Sequence, residues 1–123
     1  MLVVPARRER YAAQLRHPKN RQKFLARLPH FRDWDEPVVH TIPGAEQNVG
    51  AIVRRLRALG AGDECWVVSP SKRWDARAMP LVEAITNIVG ENDGSIVSCV
   101  PGVLAYYEGE ELGMRLVLHR RQQ

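Results

Sequence analysis

At 123 residues, with 45% hydrophobic and 26% charged side chains and a formal net charge of +4, the chain has the size of one domain that buries its own core without covalent staples. These values exclude a disordered tail and a disulfide-dense scaffold, and no apolar run reaches the length of a transmembrane helix. The charge is unevenly placed: residues 1–32 carry nine Lys/Arg against one acid, Glu9, while residues 33–123 carry nine against thirteen acids.

The opening Met-Leu-Val-Val is too short for a secretory leader, and the arginines follow it where they should precede it, so a cytoplasmic protein is expected. Residues 5–32 read as a basic helical arm in two pieces. Pro18 breaks a continuous helix but suits the first position of a new one. Tyr11, Ala12 and Leu15 give the first piece a narrow apolar stripe. Phe24, Leu25, Leu28 and Phe31 share one face of the second. Arg16, Lys19, Lys23 and Arg27 recur at steps of three and four, a cationic stripe beside that face. Pro29 stops the helix, and Asp33-Trp34-Asp35-Glu36-Pro37 reads as an acidic loop joining arm to body.

The body, residues 37–119, opens with a short strand, 38–42. A helix over 45–59 follows, buried through Val49, Ile52, Val53, Leu56 and Leu59 and stopped by Gly60. Glu64 to Ser69 reads as the next strand, and Cys65-Trp66-Val67-Val68 within it is apolar without alternation, as in a central strand covered on both faces. A polar loop, Ser69 to Arg77, leads to a helix opening near Pro80 and ending at Gly90. Strands follow at 95–100, 103–108 and 114–119, turned by Pro101-Gly102 and by Gly109 to Gly113, and residues 120–123 are expected to fray. Two strand-helix-strand units predict three parallel strands, and the short turns add two antiparallel ones. The expectation is a single α/β domain over residues 1–123, with α+β character at its C-terminus: a helical arm, then a mixed five-stranded sheet with helices packed on it.

The runs His17-Pro18-Lys19 with Lys23-Phe24-Leu25, Met79-Pro80-Leu81 with Glu83-Ala84, and Ser98-Cys99-Val100-Pro101-Gly102 with Leu104-Ala105-Tyr106 and Glu108-Gly109-Glu110 resemble a set of short bacterial proteins of unknown function. The resemblance spans residues 8 to 120. It implies one bacterial domain and transfers no activity, ligand or catalytic residue.

No catalytic constellation can be named. The four histidines and two cysteines lack metal-ligand spacing, no Gly-rich phosphate loop follows a strand, and neither a serine elbow nor a cysteine signature occurs. Neither cofactor nor metal is expected, and Cys65 and Cys99 read as reduced, buried thiols. Two groups of residues remain. Arg16, Lys19, Lys23 and Arg27 have the spacing of a helix that tracks phosphates, making a nucleic-acid-binding module without sequence reading the first expectation. The alternatives are a protein-interaction module, as a homodimer or through an acidic partner, and a small enzyme acting on a phosphorylated or nucleotide substrate. The last would use Ser69, Ser71, Lys72, Arg73 and Asp75 as an anion pocket, with Asp75 orienting a cation.

Overall fold

The structure, a computed structural model, describes residues 2–111 and 113–121; Leu112 of the expected turn and residues 122 and 123 of the expected frayed tail lie outside it. Pro18 divides the arm as expected, into α1 (Arg8–Arg16) and α2 (Pro18–Arg27), with His17 extended between them at φ −117°, ψ 129°. The expected acidic loop is in fact paired. Val3 bridges Trp34, the Val4 amide donates to the Asp33 carbonyl at 2.8 Å, and the Asp35 amide donates to that of Leu2 at 2.9 Å.

The body runs β1 (Val39–Thr41), α3 (Val49–Ala58), β2 (Glu64–Val68), β3 (Arg77–Pro80), α4 (Leu81–Ile88), β4 (Ser95–Val100), β5 (Leu104–Glu108) and β6 (Arg115–His119). Helix α3 starts later than expected because Asn48 caps it, its Oδ1 accepting from the Ala51 amide at 2.9 Å. The sheet has six strands in the order β1-β6-β5-β4-β2-β3, and every neighbouring pair is antiparallel.

This overturns the expected five strands with three parallel. The missed strand is β3, inside the stretch read as a polar loop running into a helix. It turns back on β2 in a hairpin, so α4 returns the chain to the far side of β2, running against it. The crossovers themselves are present, since alternation along the sheet makes β1 and β2 point the same way, and likewise β3 and β4. Other strands lie between each pair, so no parallel ladder forms.

Helices cover both faces. On one, Ile52 and Leu56 of α3 and Leu81, Ile85 and Ile88 of α4 are buried against Val67, Val97, Tyr106 and Val117. On the other lies the arm, where Tyr11, Phe24, Leu25, Leu28, Phe31 and Trp34 are buried against Ala105, Tyr107 and Leu118. Its rings form a relay of edge and tilted contacts, Tyr11–Phe31 at 5.1 Å, Phe31–Trp34 at 4.5 Å and Trp34–Tyr107 at 5.0 Å. The apolar face read from the spacing of Phe24, Leu25, Leu28 and Phe31 is thus the face that docks.

Candidate nucleic-acid interface

Docking sorts the cations of the arm into two sets. Those beside the sheet or the acidic segment meet carboxylates of the same molecule: Arg7 with Asp33 at 2.9 Å, Arg8 with Asp35 at 3.1 Å, Arg32 with Glu111 at 3.0 Å, and Arg21 with Asp75. The set facing water is the expected stripe together with Arg10. Arg16, Lys19, Lys23 and Arg27 are all exposed and, among the described residues, none pairs with a carboxylate.

The stripe is not a single helical line, because the extended His17 separates Arg16 from the rest. Arg16 ends α1, its Nε donating to the Ala12 carbonyl at 3.2 Å. Lys19, Lys23 and Arg27 follow on α2 with a rise of about 6 Å per step of four. Arg27 leans toward α1, its guanidinium 6.0 Å from the centre of the Tyr11 ring and its Nη1 3.4 Å from the Tyr11 hydroxyl. Lys19 and Lys23 make no such contact among the described residues. Arg27 also lines a polar hollow of about 230 Å³ with Arg7, Tyr11, His30, Arg32 and Asp33.

The Ser69–Asp75 loop is organised differently from the anion pocket expected there. Asp75 is held by the arm: Arg21 grips its carboxylate with both terminal nitrogens, Nη2 to Oδ1 at 2.8 Å, and the Ser69 amide donates to the same oxygen at 2.9 Å. Lys72 and Arg73 are exposed, and Arg73 stacks over the Trp74 ring at 4.9 Å. Ser69 is fully buried. Its hydroxyl lies 2.8 Å from that of Ser95 and accepts from the Ser71 amide at 3.0 Å. Ser69, Ser71 and Asp75 are thus bonded to one another or to Arg21, and among the described residues Asp75 orients no cation of its own loop.

Burial pushes the Asp75 carboxyl up, yet the hydrogen bonds and charge of Arg21 and the Ser69 amide outweigh it and hold the group below its usual range. Asp33 is also held low, chiefly by the Tyr11 hydroxyl and by Arg7. A carboxyl whose folded pKa is depressed contributes stability that is complete above its unfolded value, about 4, and is lost as the pH falls through the folded value. Asp33 and Asp75 both anchor the arm. Acid titration below about pH 4 is therefore expected to loosen it, read by near-ultraviolet dichroism of the ring relay. Asp75→Asn should be less stable at neutral pH and show a flatter acid limb. An unchanged acid limb would show that Asp75 contributes nothing to the docking.

Burial also pushes the two free thiols up, Cys65 to about 11 and Cys99 to about 12, which leaves both protonated and poorly nucleophilic near neutrality. What the sequence reading missed is Trp66. It stands in the run taken as a strand covered on both faces, yet it is 47% exposed. The signal was available: Glu64, Cys65, Trp66 and Val67 alternate outward and inward once the tryptophan is counted with the glutamate. Compared with protein-family models, with curated proteins and with solved structures, the chain finds no match, and its functional reading rests on this geometry.

Proposed function

We propose that the protein is a small binding module whose docked N-terminal arm contacts nucleic acid through its phosphates, without reading sequence. The observation that carries this reading is the sorting of cations. Arg7, Arg8, Arg21 and Arg32 form ion pairs within the molecule, whereas Arg16, Lys19, Lys23 and Arg27 stay exposed with no ion pair to a carboxylate among the described residues, Arg27 acting on Asp33 only at longer range. Like charges at helical spacing repel by a few tenths of a kcal/mol per pair, a cost that a polyanion removes. The helices of the arm are seated on the sheet through their buried apolar face, so the backbone that carries the cations is formed before an anion arrives and less ordering opposes binding.

Contacts of this kind release counterions, and affinity falls with salt at a log–log slope of about −0.7 to −0.9 per phosphate neutralised. Filter binding or anisotropy over a salt series is expected to give a slope near −3 for four cations, about −1.5 of which disappears in the Lys19→Ala/Lys23→Ala variant. Affinity and slope unaltered by that double substitution would reject the proposal.

A further inference from the structure

The arm does not cover the whole of its face of the sheet. In the cross-strand row on that side, Ala105 and Leu118 lie under the arm, whereas Trp66 stands between Ala78 of β3 and Ser98 of β4, beyond it. Both flanking side chains are small, so the indole rises above its neighbours and offers an open ring face. A hollow of about 240 Å³ borders it, lined with Trp66 by Glu64, Ala78, Ser98, Cys99 and Pro101. Ser98 also lines a second hollow of about 170 Å³, running under the arm between Leu15, Phe24, Val68, Ile96 and Leu118.

These placements bring two chemistries to one edge of the arm. Leu15 forms the arm-side wall of the inner hollow, and the next residue is Arg16, followed across the helix corner by Lys19. Val68, packed beneath the arm, is two residues along the same strand face from Trp66, a rise of about 7 Å. An aromatic face and a cationic corner thus flank the same strip of sheet. A lone exposed tryptophan is unremarkable. One bordering a hollow that shares Ser98 with a second, beside cations that meet no carboxylate among the described residues, has the arrangement that takes an unstacked base while its phosphates lie on positive charge.

Building on the phosphate-binding reading of the arm, we infer that the ligand is single-stranded nucleic acid, one base of which stacks on Trp66 while the adjoining phosphates meet Arg16, Lys19 and Lys23. A duplex keeps its base faces stacked and has none to offer. Apart from Glu64, the side chains around the two hollows provide few groups for reading a base edge: the Ser98 hydroxyl, the Cys99 thiol and the Trp34 indole N–H, which is buried and without a partner. Recognition is accordingly tolerant of base identity. Glu64, on the same strand face as Trp66, sets a carboxylate on the side away from the arm and directs the phosphates toward the cations.

The test uses the full chain and fluorescence anisotropy at low salt, with a short labelled oligothymidine and a duplex of equal length. The single strand is expected to bind more tightly than the duplex. Trp66→Ala should weaken single-strand binding about tenfold with the salt slope unchanged, and Trp66→Phe should keep most of the affinity. If Trp66→Ala binds the single strand like the parent, or the duplex binds equally well, the inference is overturned and the arm reading stands. If neither nucleic acid binds at low salt, both fall.

Discussion

Replacing Glu108 by alanine is expected to cost about 3–5 kcal/mol of stability, lowering the melting temperature by some 10–20 °C. Glu108 ends β5 with its carboxylate fully buried and every approach occupied. Oε1 accepts from the Tyr106 hydroxyl at 2.7 Å and from Arg115 Nε at 3.1 Å. Oε2 accepts from the Asn92 amide at 2.8 Å and from the Gly90 amide at 3.0 Å. Those amides belong to the turn that ends α4, where Gly90 takes the left-handed conformation at φ 95°. One carboxylate therefore ties the exit of α4 to β5 and β6. Without it, Arg115 is a largely buried cation that has lost its carboxylate, the fully buried Tyr106 hydroxyl loses its acceptor, and the part-buried amides of Gly90 and Asn92 lose theirs. Chemical denaturation of Glu108→Ala, of Arg115→Leu and of the double variant separates the terms. The double variant should be markedly more stable than the summed losses predict, because removing both charges leaves neither one stranded. A loss below about 1 kcal/mol in Glu108→Ala would mean the network is incidental to the fold.

The elements with local causes are legible in the sequence. Pro18 and the spacing of Phe24, Leu25, Leu28 and Phe31 place the arm's break and buried face, and Ser95 to Val100 stands as read. What failed depended on partners far along the chain. Arg77-Ala78-Met79-Pro80 has little strand character of its own, with a proline and three exposed side chains, and becomes a strand by pairing with β2. Missing it reversed the inferred direction of every later strand relative to β2. The stripe of Arg16, Lys19, Lys23 and Arg27 was visible as a pattern, but spacing alone does not say which arginines meet acids. Nothing in the spacing separates Arg21 from Arg16 in this respect, yet folding brings Arg21 to Asp75, 54 residues away. Trp66 failed for the related reason that an apolar run reports a tendency to be buried, whereas actual cover depends on how far the arm extends.

Gly94→Ala is expected to unseat the arm while leaving the sheet paired, at a cost of about 2–5 kcal/mol. Gly94 is buried at the entry to β4 with φ +84°, and a Cβ built on it would stand 2.3 Å from the Pro29 nitrogen and 2.5 Å from the Leu28 carbonyl carbon. Both obstacles are backbone, so no side-chain rotation relieves them, and the end of α2 must move away from the sheet. Two bonds that clasp it would go with it: the Tyr107 hydroxyl to the Leu28 carbonyl, and the Glu110 amide to the Pro29 carbonyl at 2.8 Å. Gly113 provides the comparison, since its φ is +82° but, among the described residues beyond its chain neighbours, nothing lies within 4 Å of its would-be Cβ. Gly113→Ala should therefore show only the conformational cost of about 1–2 kcal/mol, and the excess in Gly94→Ala measures the close approach of arm to sheet. Amide exchange reads the location: protection should fall across residues 18–31 and persist in β2, β4 and β5. Equal losses in the two variants, or protection lost evenly through the sheet, would mean the arm is not seated by that contact. On the proposed phosphate-binding reading of the arm, Gly94→Ala should also weaken that binding without removing a single charge, a result that a merely electrostatic, unstructured tail would not give.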